Sequence, residues 1–257
     1  MSEGIERGAE RTPSLGRRLR PIGIGGLAAV VLVILALGTA SAAPALTTAT
    51  ATKSLAPYPG SGLGGFENFA EGCGSTAAVS SLPIFNTSNG IGTLSAKATS
   101  KNCGSAASNR SLELSVVYVS PSFSTTTGSH NITADWLVTF IAKLAATGTT
   151  GHPATGIFEV SALSLLVDET NDSTIKTSSA LVAFNEITTG TYSHTFSKVA
   201  AKLSTVATLK KTQKYDYELE VLVLLGTSVA PGGTSASASV TMSGGANGAT
   251  LKSVTVT

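Results

Sequence analysis

The sequence predicts an all-β protein, an antiparallel β-sandwich of about eight to ten strands preceded by an N-terminal hydrophobic signal or anchor helix. Beyond residue 75, apolar and polar residues alternate with a period of two, which is the spacing of half-buried strands. Clusters of Gly, Pro, Asn and Asp separate these segments, with no helical pattern between them. About a quarter of the 257 residues are Ser or Thr and only 12% are charged, a composition that suits strands with polar outer faces.

The alternation defines the strands in order. In residues 132–144 one face is apolar throughout and includes Trp136, while Leu137 and Ile141 interrupt the polar face opposite, so we expect that face to be partly covered too. Residues 199–211 fit both a helical and an alternating spacing, and we favour a strand. The other predicted strands are residues 112–118, 156–167, 177–184, 191–197, 215–225, 235–242 and 250–256.

The first 43 residues have the layout of an export signal. Arg17, Arg18 and Arg20 precede an uncharged stretch, residues 21–43, in which Ala40-Ser41-Ala42 forms a small-residue cleavage pattern. We expect cleavage after Ala42. The 23 uncharged residues are also long enough to span a bilayer, so a retained anchor with the membrane as partner stays open.

Both readings place the rest of the chain outside the cytoplasm, in the extracellular space or at the cell surface. Residues 44–65 are small, polar or rich in Gly and Pro, and we expect a flexible stalk there. Residues 66–257 then form the β-sandwich domain.

Cysteines and sequons agree with export. The chain has two cysteines, Cys73 and Cys103, and we expect them to form a disulfide that closes a loop of about 30 residues. Two free buried thiols are the alternative. Four N-x-Ser/Thr sequons are candidate glycosylation sites, and they begin at Asn86, Asn109, Asn131 and Asn171.

One segment resembles the tyrosine corner of immunoglobulin-like and fibronectin-like sandwiches. Leu209 ends one predicted strand and Tyr215 begins the next. The resemblance covers about 17 residues and implies that the Tyr215 hydroxyl bonds back across the corner. The sequence departs from antibody domains because no cysteine follows the tyrosine.

Two groups of carboxylates are candidate sites. Asp168, Glu169, Asn171 and Asp172 fall in one predicted turn, where oxygen ligands could hold a structural calcium ion; a polar turn capped by its own side chains is the preferred reading, and no other cofactor is expected.

Asp216, Glu218 and Glu220 occupy alternate positions of one predicted strand and therefore share a face. Carboxylates about 6.5–7 Å apart can serve an inverting glycosidase. A solvent face balanced by nearby lysines is preferred, because the body of the chain has one tryptophan, predicted to point inward, to stack a sugar.

The catalytic motifs GxSxG, HExxH and the P-loop are missing from the sequence. Nucleic acid is not expected as a partner, because the chain has no basic patch interleaved with aromatic residues. We therefore expect a non-enzymatic structural or adhesive protein, with cell-envelope components or glycans as partners. A glycan-binding or glycan-hydrolysing sandwich and a pilin-like filament subunit are the alternatives.

Overall fold

In a computed structural model the chain is described over residues 73–257, apart from 87–88 and 245–246, together with four strand segments nearer the N-terminus. The predicted signal or anchor, residues 1–43, lies outside this part. Fifteen strands are described: β1 Leu46–Ala49, β2 Lys53–Ser54, β3 Gly62–Leu63, β4 Phe66–Glu71, β5 Thr76–Asn86, β6 Ile91–Lys101, β7 Ser108–Val119, β8 Phe123–Thr125, β9 Gly128–Thr147, β10 Ala154–Asp168, β11 Ser173–Ile187, β12 Gly190–Leu209, β13 Tyr215–Val229, β14 Ser235–Met242 and β15 Ala249–Val256.

The strands form two sheets. Sheet A has the order β4–β7–β13–β10–β11, with β8 beside the start of β13 and β1 next to β8. Sheet B has the order β3–β5–β6–β14–β9–β12. Strands β14 and β15 lie on the same side of β9, where β14 pairs with one half of β9 and β15 with the other half. Strand β2 pairs with β15. The β1–β8 pairing is parallel, whereas the other strand pairings among the described residues are antiparallel.

The core lies between the two sheets. It is built from alternate residues of each strand, such as Leu112 and Leu114 of β7, Trp136 of β9 and Leu219 of β13, none more than 1% exposed. The all-β antiparallel prediction is confirmed: each predicted strand lies within one of these strands, except that segment 199–211 extends two residues beyond the end of β12 at Leu209. Ten strands have eight or more residues, so the additional ones are short segments. Three of those segments, β1 to β3, lie within residues 44–65, where a stalk was expected.

The described part of the chain consists of strands and their connections, and it offers no helix long and apolar enough to cross a bilayer.

Strand β12 explains the ambiguous pattern at residues 199–211. It is one strand from residue 190 to 209, and its pairing with β9 shifts register between Phe196 and Val199. Lys198 has φ 52° at this bulge, and its N–H donates to Thr139 Oγ1 at 2.9 Å. The extra residue moves the inward-facing positions of β12 from even to odd residue numbers. The alternation in the sequence therefore breaks at the bulge, and it predicted two segments where the structure has one strand.

The predicted tyrosine corner has the expected hydrogen bonds. Lys210 N–H donates to the Tyr215 hydroxyl at 2.8 Å, and that hydroxyl donates to Gln213 Oε1 at 2.9 Å. The corner joins β12 of sheet B to β13 of sheet A. The structure is thus sandwich-like, whereas membership of the immunoglobulin or fibronectin families is not shown.

The predicted disulfide is confirmed. Cys73 and Cys103 are bonded, with their Cα atoms 5.4 Å apart. Cys73 precedes β5 and Cys103 follows β6. The bond therefore joins the open ends of the β5–β6 hairpin in sheet B.

Candidate functional site

The three carboxylates predicted to share a face do so, on the outside of sheet A. Asp216, Glu218 and Glu220 alternate along β13 with the buried core residues Tyr217 and Leu219. Their side chains therefore point away from the core between the sheets.

Strand register adds three carboxylates that sequence reasoning missed. Glu113 and Glu159 flank Leu224 from β7 and β10, and Glu186 of β11 pairs with Ile157 on the same side. We call the outer surface of β7, β13, β10 and β11 the acidic face. Among the described residues, its outward positions hold six carboxylates and no Lys, Arg or His.

The acidic face is also apolar and partly buried. Glu218 is flanked by Val119 and Leu165, and Glu220 by Val117 and Leu163. Leu165 is 0%, Leu163 5% and Glu220 7% exposed, although they point outward. Leucines at these positions make β10 buried on both sides. The second face of β9 is partly covered, as Leu137 and Ile141 had led us to expect, since both are half-buried.

Burial changes the titration of these carboxylates. It raises the pKa of Asp216 to about 7, helped by the charges of Glu218 and Glu169, while a backbone hydrogen bond opposes the shift. It raises the pKa of Glu220 to about 7, helped by Glu218 and Glu113. It also raises the pKa of Glu218. Asp216 Oδ1 is buried and has no hydrogen-bond partner in the described part of the chain.

The surroundings of this group do not resemble a sugar cleft. The side chains next to Glu218 and Glu220 on the neighbouring strands are aliphatic, namely Val117, Val119, Leu163 and Leu165, whereas sugars stack on aromatic rings. A catalytic role for Asp216, Glu218 and Glu220 thus stays a prediction.

The outer surface of sheet B has the opposite charge. Lys97 and Lys101 of β6, Lys143 of β9 and Lys202 of β12 alternate with core residues and point outward. Asp135 lies beside Lys202 and accepts a hydrogen bond from Ser253 Oγ at 3.1 Å. We call this surface the lysine face. Most of its other positions are Ser or Thr, as in β14.

The predicted calcium turn, at the β10–β11 connection, uses its oxygens internally. Asp168 Oδ1 accepts from the N–H groups of Thr170 and Asn171 at 2.9 and 3.3 Å, and Asp168 Oδ2 accepts from Asn171 Nδ2 at 2.6 Å. Glu169 accepts from Ser122 Oγ. Asp172 adopts φ 49° in the turn. This is a self-capped turn, and the calcium site stays a prediction.

No three His, Cys, Asp and Glu side chains among the described residues, those of this turn included, are grouped to hold a metal ion. His130 contacts the Thr126 carbonyl oxygen at 2.9 Å, and His152 lies beside Gly232. These contacts tie the two histidines to local turns.

An aromatic row on β12 was not predicted as a site. Tyr192, His194 and Phe196 are partly or largely exposed and continue a cluster of buried rings. Phe196 stacks on Phe140 with ring centroids 4.5 Å apart, and Tyr192 lies 6.2 Å from Phe158. The signal available in the sequence was the aromatic alternation within residues 191–197.

The four sequon asparagines lie on separate parts of the fold. Asn86 ends β5 and is exposed. Asn109 and Asn131 accept hydrogen bonds from Ser228 and Ser204 at 2.7 and 2.8 Å. Asn171 donates its Nδ2, the atom that would carry a glycan, to Asp168. Glycan attachment stays a prediction at all four.

Comparison with known proteins does not show a family. No family model matches the chain. No curated protein matches it. It is similar to the enzymatically active domain of bacteriophage CBA120 tailspike protein 4, at 7% identity and a TM-score of 0.21 over 74% of this chain. It is also similar to the CBM22-1–GH10 modules of Clostridium thermocellum xylanase 10B, at 12% identity and a TM-score of 0.19 over 80% of this chain. The chain covers 19% and 28% of those two chains.

Proposed function

We propose that this chain is an exported cell-surface or secreted β-sandwich with a non-enzymatic structural or adhesive role. The observation that carries the proposal is the acidic face, a sheet surface four strands wide on which apolar side chains lie between carboxylates. A broad surface of this kind suits contact with a macromolecule, whereas small-molecule sites are concave.

Two further observations support the proposal. The Cys73–Cys103 disulfide suggests an oxidising environment outside the cytosol. At the β11 edge of the acidic face, Leu181 and Phe184 are 64% and 41% exposed. Large exposed apolar side chains next to one another mark a partner site.

The test displays the full chain on cells that export it and measures cell-to-cell and cell-to-surface adhesion. We expect Leu181→Ser with Phe184→Ser to reduce adhesion at unchanged surface amount. Thr177→Ser, on the same face of β11, is the matched control. Free thiols on Cys73 and Cys103 in native chain recovered from the culture medium or the cell surface, or adhesion equal in all variants, would contradict the proposal.

The aromatic row favours glycan binding as a second candidate. Tyr192 is partly exposed and sits in a run of rings, the arrangement on which sugars stack. Titration calorimetry with xylan, cellulose and chitin oligosaccharides tests it. Binding that is lost in Tyr192→Ala but kept in Phe184→Ala, an exposed ring on the acidic face, would support this role. Heats indistinguishable from buffer with all three oligosaccharide series would contradict it.

The pilin-like alternative depends on the N-terminus. Mass spectrometry of the mature protein separates the cases. A mature chain that starts at Ala43 removes the filament subunit of that kind, and one that starts near Pro21 supports it.

A further inference from the structure

We propose that the acidic face of one molecule docks on the lysine face of the next, so that copies of this chain assemble head to tail. The inference rests on the proposed structural or adhesive function and names its partner as a second copy.

The accessible part of the acidic face is the end farther from the buried leucines. We call it the open end, and it consists of Glu159, Leu181, Phe184, Glu186, Leu222 and Leu224. Leu181, Phe184 and Glu186 are exposed, and the other three are half-buried. Two carboxylates and several apolar side chains thus lie together with no cation among them.

The lysine face offers the complementary pattern. Ser239 of β14 pairs with Lys97 on one side and with Lys143 on the other. The two exposed lysines therefore lie two strand spacings, about 10 Å, apart in one row. Half-buried Ile141, two residues from Lys143 on the same side, supplies apolar surface. Opposite charges that lie beside apolar side chains on the two faces attract the molecules and fix the register of the contact.

The area sets the strength of one contact. The open end covers about six residues on three strands, which is about 20 by 14 Å, or about 280 Å². A stable interface buries about 800 Å² per partner, so one contact is weak. The two faces lie on opposite sides of the sandwich, so the contact is heterologous, and it repeats in an open array when the rotation between copies does not close a ring. Weak contacts then add up along an array of surface-bound copies.

The test measures association of the full chain by sedimentation at pH 8, from about 10 μM to about 1 mM, the range in which a weak contact is populated. One variant reverses the acidic face with Glu159→Lys and Glu186→Lys. The other reverses the lysine face with Lys97→Glu and Lys143→Glu. Lys210→Glu with Lys211→Glu, in the exposed β12–β13 turn, is the control for the lysine-face variant, with the same change in charge. Circular dichroism melts verify that each variant folds.

We expect the average mass of the wild-type chain to rise with concentration and the rise to shrink in 0.5 M NaCl. Each face variant alone should associate at least about tenfold more weakly, while the control remains like wild type. An equimolar mixture of the two face variants should regain association, because the reversed faces of the two variants then attract each other, as do their unreversed faces.

Other outcomes overturn the proposal. Association kept by the lysine-face variant and lost by the acidic-face variant indicates that two acidic faces meet. A monomer at every concentration indicates that the chain's own residues or a different partner occupy the face. A chain that assembles but stays in the cytosol defeats the proposed function alone, and an exported adhesive monomer defeats this inference alone.

Discussion

The two outer surfaces of the sandwich are built by the same alternation but end up in different physical states. On the lysine face, outward positions are mostly Ser, Thr and Lys, with a single described acid, Asp135. On the acidic face, Leu163 and Leu165 point outward yet are buried, and Glu220 is buried beside them. The lysine face is mostly polar, although Ile84 and Val206 are exposed on it, whereas the acidic face combines apolar side chains with charges that burial disfavours.

This contrast shows that residues on the outer surface of a sandwich are not all exposed to solvent. Carboxylates in a partly buried apolar setting hold their protons to higher pH, and both Asp216 and Glu220 have a pKa of about 7. A surface of this kind is suited to being covered. The experiments below test the contrast, from the largest expected effect to the smallest.

The disulfide should give the largest effect, and it belongs to sheet B. Cys73→Ser with Cys103→Ser should lower the free energy of unfolding by about 3–4 kcal/mol, because the bond closes a loop of 30 residues. Urea unfolding of the double variant measures this. Equal free energies of unfolding for the double variant and the oxidised wild-type chain would show that the bond does not constrain the β5–β6 hairpin.

Truncating an outward side chain should separate the two surfaces directly. Leu165→Ala should lower the free energy of unfolding by about 2–5 kcal/mol, as at a core position. Ile141 is half-buried on the lysine face. Ile141→Ala should lower the free energy of unfolding by about 1 kcal/mol or less. Equal losses in thermal melts of the mature protein would mean that Leu165 is not covered.

Glu220 should make stability depend on pH. Its pKa is raised from 4.5 to about 7, so between these values the folded chain binds more protons than the unfolded chain. Stability therefore falls as pH rises through this window and levels off above it.

Glu220→Gln should remove the Glu220 contribution to this slope, leaving that of Asp216, and raise the free energy of unfolding at pH 8 by about 1–3 kcal/mol relative to its effect at pH 4. Urea unfolding at the two pH values measures the difference. Glu186→Gln, exposed on the same face, is the control, and an equal slope in both variants would contradict the role of burial.

The smallest effect is expected at the corner that joins the sheets. Tyr215→Phe removes the hydroxyl that binds Lys210 N–H and Gln213. The free energy of unfolding should fall by about 1 kcal/mol. A thermal melt identical to wild type would show that water replaces these bonds without loss.

Prediction from sequence succeeded where the information is local. The alternation around Trp136 placed an entire strand face in the core, and the 235–242 prediction matches β14 at both ends. It was incomplete where a bulge at Lys198 changed the phase of the alternation within β12. Glu113, Glu159 and Glu186 could not be grouped with Asp216, Glu218 and Glu220, because they are far apart in the chain and meet only through strand register.

The sequence by itself determined that the chain forms strands, that its two cysteines pair and that Tyr215 anchors a corner, since each depends on side-chain period, residue count or neighbours a few positions away. Only the tertiary structure decided which strands lie side by side, and therefore that carboxylates from four strands gather on one surface and lysines on the other. Pairing of distant strands brings together residues whose separation in sequence carries no record of their contact, and the burial that shifts the carboxylates arises only once the sheets have formed.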